Sequence, residues 1–186
     1  GMTAPPALLS VRDLAIDYPG AADRPVEAVR GVSFEIGEGE IVGLVGESGC
    51  GKTTVLMGLL GLLPEGSRLV SGSVRLAGRE IAGLGEEGLQ ELRGRELSLV
   101  YQGAMNALNP VRETGKQIAE AVLHHAPLLS RAFVALRVGE LLELVGIPAD
   151  RAARFPHELS GGMRQRAVIA MALAASPRLL CADEPT

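Results

Sequence analysis

The sequence predicts an α/β fold in which a helical segment interrupts a sheet-bearing core, and three observations carry that expectation. The apolar run Ile41-Val42-Gly43-Leu44-Val45 has the pattern of a strand buried on both faces, and it leads into a glycine-rich stretch and a helix-like segment. A second apolar run, Arg178 to Asp183, ends in two carboxylates. Between them, residues 106–157 change to helical patterning, which divides the chain into a core (1–105 and 158–186) and an inserted α-helical subdomain.

Taken in order, residues 8–18 alternate apolar and polar and read as a strand, closed by the turn Pro19-Gly20. Val26 to Ile36 reads as a second strand, and Gly37-Glu38-Gly39-Glu40 as a tight connection. After the run 41–45, Lys52 to Leu63 is helix-like and stops at Pro64-Glu65-Gly66. Residues 68–77 and 95–101 read as strands, with a short helix from Glu86 to Leu92 between them. In the subdomain, Glu113 to His125 and Ser130 to Val145 are the clear helices. Val134, Val138, Leu141 and Val145 line one face of the second, which Gly146-Ile147-Pro148 ends. Met163 to Ala175 is a further helix, broken by Ser176-Pro177.

Composition narrows the function. The chain has 186 residues, of which 47% are hydrophobic and 22% charged, a globular balance with enough length for a core. Eighteen Lys and Arg against 22 Asp and Glu give −4, and neither half forms a basic platform, which argues against nucleic acid as a partner. No apolar stretch approaches the roughly 20 residues of a spanning helix. Gly1-Met2 reads as the scar of a cleaved tag rather than the start of a signal peptide. Two cysteines, Cys50 and Cys181, make no disulfide framework and favour the cytosol. Sixteen of the eighteen basic residues are Arg, so Lys52 and Lys116 stand out against the bias.

Lys52 lies in Gly46-Glu47-Ser48-Gly49-Cys50-Gly51-Lys52-Thr53-Thr54, which fits G-x-x-x-x-G-K-[ST] between a strand and a helix. Such glycines let successive backbone N–H groups point at a polyphosphate, and the following helix aims its positive end at the same anion. Lys52 would reach the β- and γ-phosphates, and the Thr53 hydroxyl would sit on Mg²⁺. The motif alone leaves ATP and GTP, ATPase and kinase, open. Asp183 would hold Mg²⁺ through water as the acidic partner of Thr53, and Glu184 would polarise the attacking water. Leu159-Ser160-Gly161-Gly162-Met163 opens a helix with a hydroxyl and uncovered N–H groups, a second anion site. One nucleotide has no use for two separate helix N-termini on its γ-phosphate unless two copies share it.

These residues resemble the ATP-binding cassette (ABC) ATPases. In that family an LSGGQ signature closes over nucleotide held by the opposite protomer; here Met163 stands in the usual Gln position and Gln165 follows two residues later. The resemblance implies a P-loop ABC core sheet with an N-terminal antiparallel β-subdomain. It further implies that Tyr18 stacks on adenine and that Gln102 senses Mg²⁺ and the γ-phosphate. Two stretches, 102–110 and 155–166, look like the ATPases of dipeptide, oligopeptide and nickel importers. That likeness implies ATP and Mg²⁺ as ligands, permease subunits and a second ATP-binding subunit as partners, and indirectly a solute-binding protein. The place implied is the inner face of the cell membrane. The family continues with a D-loop and a switch histidine not found here, so the sequence reads as cut short and weak in turnover. The rival readings are a P-loop kinase or GTPase, which leaves 159–163 without a purpose, and a non-catalytic nucleotide-binding or regulatory module.

Overall fold

The computed structural model describes residues 7–21 and 24–184; Gly1-Met2 and the last two residues lie outside it. The chain forms two compact units, Gly1–Gln90 and Glu91–Thr186. Among the described residues no helix is long and apolar enough to cross a membrane.

The first unit is built on an antiparallel sheet in the order β2-β1-β3-β4, from β1 (Leu9–Tyr18), β2 (Val26–Ile36), β3 (Arg68–Leu76) and β4 (Arg79–Glu80). The alternation of β1 places Leu9, Val11, Leu14 and Ile16 in the core, each fully buried. β3 and β4 are joined by Ala77-Gly78, both at positive φ, the two-residue hairpin geometry that matches strand twist. Where β1 bulges at Asp13, Gly72 of β3 crosses at φ +107°, and a Cβ there would lie 2.7 Å from the backbone oxygens of Arg12 and Asp13. Helix α1 (Lys52–Leu60) lies on β1 through Gly58, whose added Cβ would meet Ile16 Cδ1 at 2.6 Å. α1 ends in a left-handed Gly61, with Leu62 N–H donating to the Met57 carbonyl, rather than running to Leu63.

The expected strand 41–45 is corrected by the structure. Residues 40–46 carry no strand, and Ile41 and Val45 are 98% and 94% exposed. An apolar run becomes a strand only with a ladder beside it. The described sheet of this unit is antiparallel and offers the run none.

In the second unit β5 (Leu97–Val100) and β6 (Leu179–Ala182) pair in parallel, Leu97 opposite Leu179 through Val100 opposite Ala182. A short helix, α2 (Glu86–Leu92), spans the boundary between the units. Helices α3 (Thr114–His125), α4 (Arg131–Leu144) and α5 (Gly161–Ala172) form the rest, within two residues of expectation at their starts. Ile118, Leu141, Leu142 and Ile147 form the centre of their shared core with Val100 and Ala167. Ser130 caps α4, accepting from Phe133 N–H. Arg166 of α5 donates to the carbonyls of Val145 (3.2 Å) and Gly146 (2.8 Å), satisfying the open end of α4.

Candidate functional site

The glycine-rich loop meets α1 at Gly51, its N-cap residue, in the left-handed conformation at φ +95°. A Cβ at Gly51 would stand 2.6 Å from the Ala28 carbonyl oxygen, so the turn that aims α1 requires glycine on two counts. The loop is exposed from Gly46 to Cys50. Lys52 curls back over it, Nζ donating to the carbonyls of Gly46 and Glu47, both at 2.8 Å. The ammonium is thereby held at the loop's mouth by weak neutral acceptors, which an anion would displace. Gly49, Cys50, Gly51 and Lys52 line a cavity of about 500 Å³ together with Val29 and Leu44. The cavity falls in the size range of small-molecule sites.

Thr53 and Thr54 begin α1 and face differently: Thr53 is exposed, Thr54 is buried. Thr54 Oγ1 shares a hydrogen bond with the Tyr18 hydroxyl at 2.9 Å, tying the end of β1 to the helix that opens the loop. Tyr18 itself lines a separate hollow of about 170 Å³ with Asp17, Pro19, Gly66 and Arg68, not the cavity at the loop. The hydroxyl bond had no signal in the sequence, since it joins residues 36 positions apart.

In the second unit, Asp183 follows β6 and extends its ladder, its N–H donating to the Val100 carbonyl at 2.9 Å. Asp183 is buried and Glu184 exposed, the latter at φ +44°, a conformation non-glycine residues enter at some cost. Gln102, just beyond β5, donates its Nε2 to Glu184 Oε2 at 2.7 Å. Two residues 82 positions apart are thus in direct contact. Parallel pairing of β5 with β6 brings their ends together. Cys181, one strand position back, is buried, and its burial pushes the thiol pKa up to about 11, so it stays a thiol. Cys50 is exposed, its sulfur 3.8 Å from Lys52 Nζ.

Ser160 caps α5, its Oγ accepting from Met163 N–H at 3.3 Å. Gly161 and Gly162 form the first turn, and Gly162 has open space where a side chain would stand. Upstream, Glu158 accepts from Phe155 N–H and Arg154; these bonds hold its carboxyl below the usual carboxylate range and fix the approach to Ser160. Gln165 points inward and is buried, while Met163 is half-buried. The three histidines form no metal cluster, and none of three or more metal-ligating side chains occurs among the described residues.

A family model described as "ABC transporter" matches residues 29–186, a span that holds the glycine-rich loop, the Ser160 turn and the 183–184 carboxylates. The chain belongs to the ABC transporter family. Among curated relatives, the oligopeptide transport ATP-binding protein OppD of Mycobacterium tuberculosis is 50% identical over 96% of this chain and 29% of its own length. OppD of Bacillus subtilis is 45% identical over 96% of the chain and 50% of its own. The dipeptide transport ATP-binding protein DppD of Lactococcus lactis is 42% identical, over 96% and 52%. The chain therefore spans between about a third and a half of the length of these relatives. Among solved structures, a dimeric ATP-binding cassette in a post-hydrolysis state, bound to ADP and Pi, aligns with a TM-score of 0.80. Identity there is 27%, and the alignment covers 96% of this chain and 74% of that one. ABC membership accounts for the mixed architecture, an antiparallel sheet in one unit and a parallel pair with helices in the other.

Proposed function

We propose that this chain is the ATP-binding part of an ABC importer subunit, hydrolysing ATP to drive uptake of peptides through membrane permeases. The observation that carries the reading is the loop 46–52, with its left-handed Gly51 at the start of α1 and Lys52 Nζ poised over its mouth. Backbone N–H groups of a left-handed turn at a helix N-terminus make a polyphosphate cradle, and the lysine exchanges two carbonyls for phosphate oxygens. The names of the relatives support peptides as cargo. The dimeric cassettes among solved structures support a head-to-tail pair in which Ser160, Gly161 and Gly162 of one copy cover nucleotide on the other. The assembly would sit on the inner face of the membrane, held there by its permeases and fed by a solute-binding protein. The division into a core and a 106–157 helical subdomain, the latter passing motion to the permeases, belongs to the same proposal.

Mg²⁺ takes one or two protein oxygens beside phosphates and water. The Thr53 hydroxyl, the Asp183 carboxylate and the Gln102 amide oxygen are donors of that kind. When bound, the ion neutralises phosphate charge. Glu184 would orient the attacking water as general base, Lys52 would offset charge on the terminal phosphates, and the Tyr18 ring would stack on adenine. Hydrolysis by the full-length chain with a Glu184→Gln variant tests this. The variant should bind ATP, dimerise with it and fail to turn it over; a protein that stays monomeric with ATP would instead support the kinase reading.

A further inference from the structure

Gln117 of α3 carries no role in any reading above, yet it is almost wholly buried, and every polar atom of its side chain is committed. Asn109 N–H donates to its Oε1 at 2.8 Å. Its Nε2 donates to the carbonyls of Asn109 (3.1 Å) and Arg112 (3.0 Å). Both N–H groups and the carbonyl oxygen of this amide are engaged, and all three bonds meet the backbone of the loop 109–112. Nothing in helix formation requires this, since α3 makes its own ladder. What the three bonds do is stand in for water on loop peptides that would otherwise be solvated.

That loop is the far end of the segment that begins at Gln102. Between them a single 3-10 turn, Ala104–Ala107, is seated by Ala104 and Leu108 in the core. The segment is therefore pinned in its middle by apolar burial and at its end by Gln117. Its beginning reaches Glu184 through the 2.7 Å bond from Gln102 Nε2. The 3-10 turn is short, and without Gln117 on 109–112 it loses the anchor on its far side, which loosens the position of Gln102 on its near side. Displacements of about 1 Å cost reactions up to ~10²-fold.

We infer that Gln117 is a positioning residue for hydrolysis: by clamping 109–112 to α3 it fixes where the Gln102 amide stands beside Glu184. The inference rests on the proposed roles of Gln102 and Glu184. It is tested in the full-length protein with Gln117→Leu, which removes all three bonds. Gln117→Glu keeps the acceptor but sets a carboxylate against two carbonyls, and it serves as the second variant if the first fails to fold. We expect kcat for ATP to fall roughly tenfold in either, with KM for Mg–ATP within about twofold. Lys116→Ala, which removes only the exposed ion pair with Glu113 and leaves the loop 109–112 untouched, should leave turnover unchanged. The discriminating readout is a double-mutant cycle: on a Gln102→Ala background, Gln117→Leu should cost nothing further. Equal losses with and without Gln102 would overturn the inference, making Gln117 scaffold alone, and so would unchanged kcat in both Gln117 variants. Wild-type turnover by Gln102→Ala would instead sink the reading of Gln102 itself, and this inference with it.

Discussion

The glycine-rich loop and the acidic strand end are both reached along apolar runs of similar composition, but they are held very differently. Residues 41–45 approach the loop exposed and without a ladder. Residues 179–182 approach Asp183 in register with β5, Leu179 and Cys181 buried. The loop's geometry is consequently fixed from its downstream side, by Gly51, by the Lys52 bonds and by α1 seated on Ile16. The geometry of the carboxylates is fixed from upstream, by strand pairing, and then by Gln102. Each turn has one rigid flank, and the two use opposite ones.

If this contrast is right, changes at the two sites differ in kind. The largest effect is expected at Glu184. On its proposed role as general base, Glu184→Gln should lower ATP hydrolysis by ~10³-fold while leaving affinity for ATP intact, since loss of such a base costs roughly 10²–10⁴-fold and the variant leaves the loop 46–53 unchanged. Turnover assays paired with equilibrium binding would check it. Gly51→Ala should act on the other side, weakening ATP binding along with stability. The left-handed φ and the approach to the Ala28 carbonyl together cost ~1–3 kcal/mol, readable by thermal melting and nucleotide titration. Tyr18→Phe removes the bond to Thr54 and should cost about 1 kcal/mol of stability, while any stacking by the ring survives. A loss of ATP affinity beyond that of stability would mean that the hydroxyl orients α1.

The smallest effect concerns pH. His125 lies over Gly94, and burial, then the neighbouring positive charges of His124 and Arg95, lower its pKa below the ordinary 6.5. The unfolded chain therefore takes up a proton first as pH falls. The stability contributed by neutral His125 is full above about pH 6.5 and is lost on descending through the lower folded value. Denaturant titrations between pH 7 and pH 5 should show the decline, and His125→Gln should flatten it.

Most helices and three strands of the antiparallel sheet, β1, β2 and β3, were legible because each writes its period locally: β2 runs from Val26 to Ile36 as patterned, and α4 buries Val134, Val138 and Leu141. The glycine-rich loop was legible for a similar reason, its conformational demands falling on consecutive residues. The 41–45 run misled because composition reports what could be buried, not what lies beside it. The Gln102–Glu184 bond, the Tyr18–Thr54 bond and the Gln117 clamp escaped for a different reason. Each depends on a hydrogen bond between residues brought together by the fold, and neither partner's type announces it.

On the proposed function, the loop 46–53 grips a polyphosphate through its amides and Lys52. This grip is tested most directly by titrating Mg–ATP calorimetrically into the full-length chain and its Lys52→Met variant. Saturable binding by the wild type, weakened ~10²-fold or more in the variant, is the expected result. Equal affinity in both would contradict the account, because the nucleotide would then be held somewhere other than this loop.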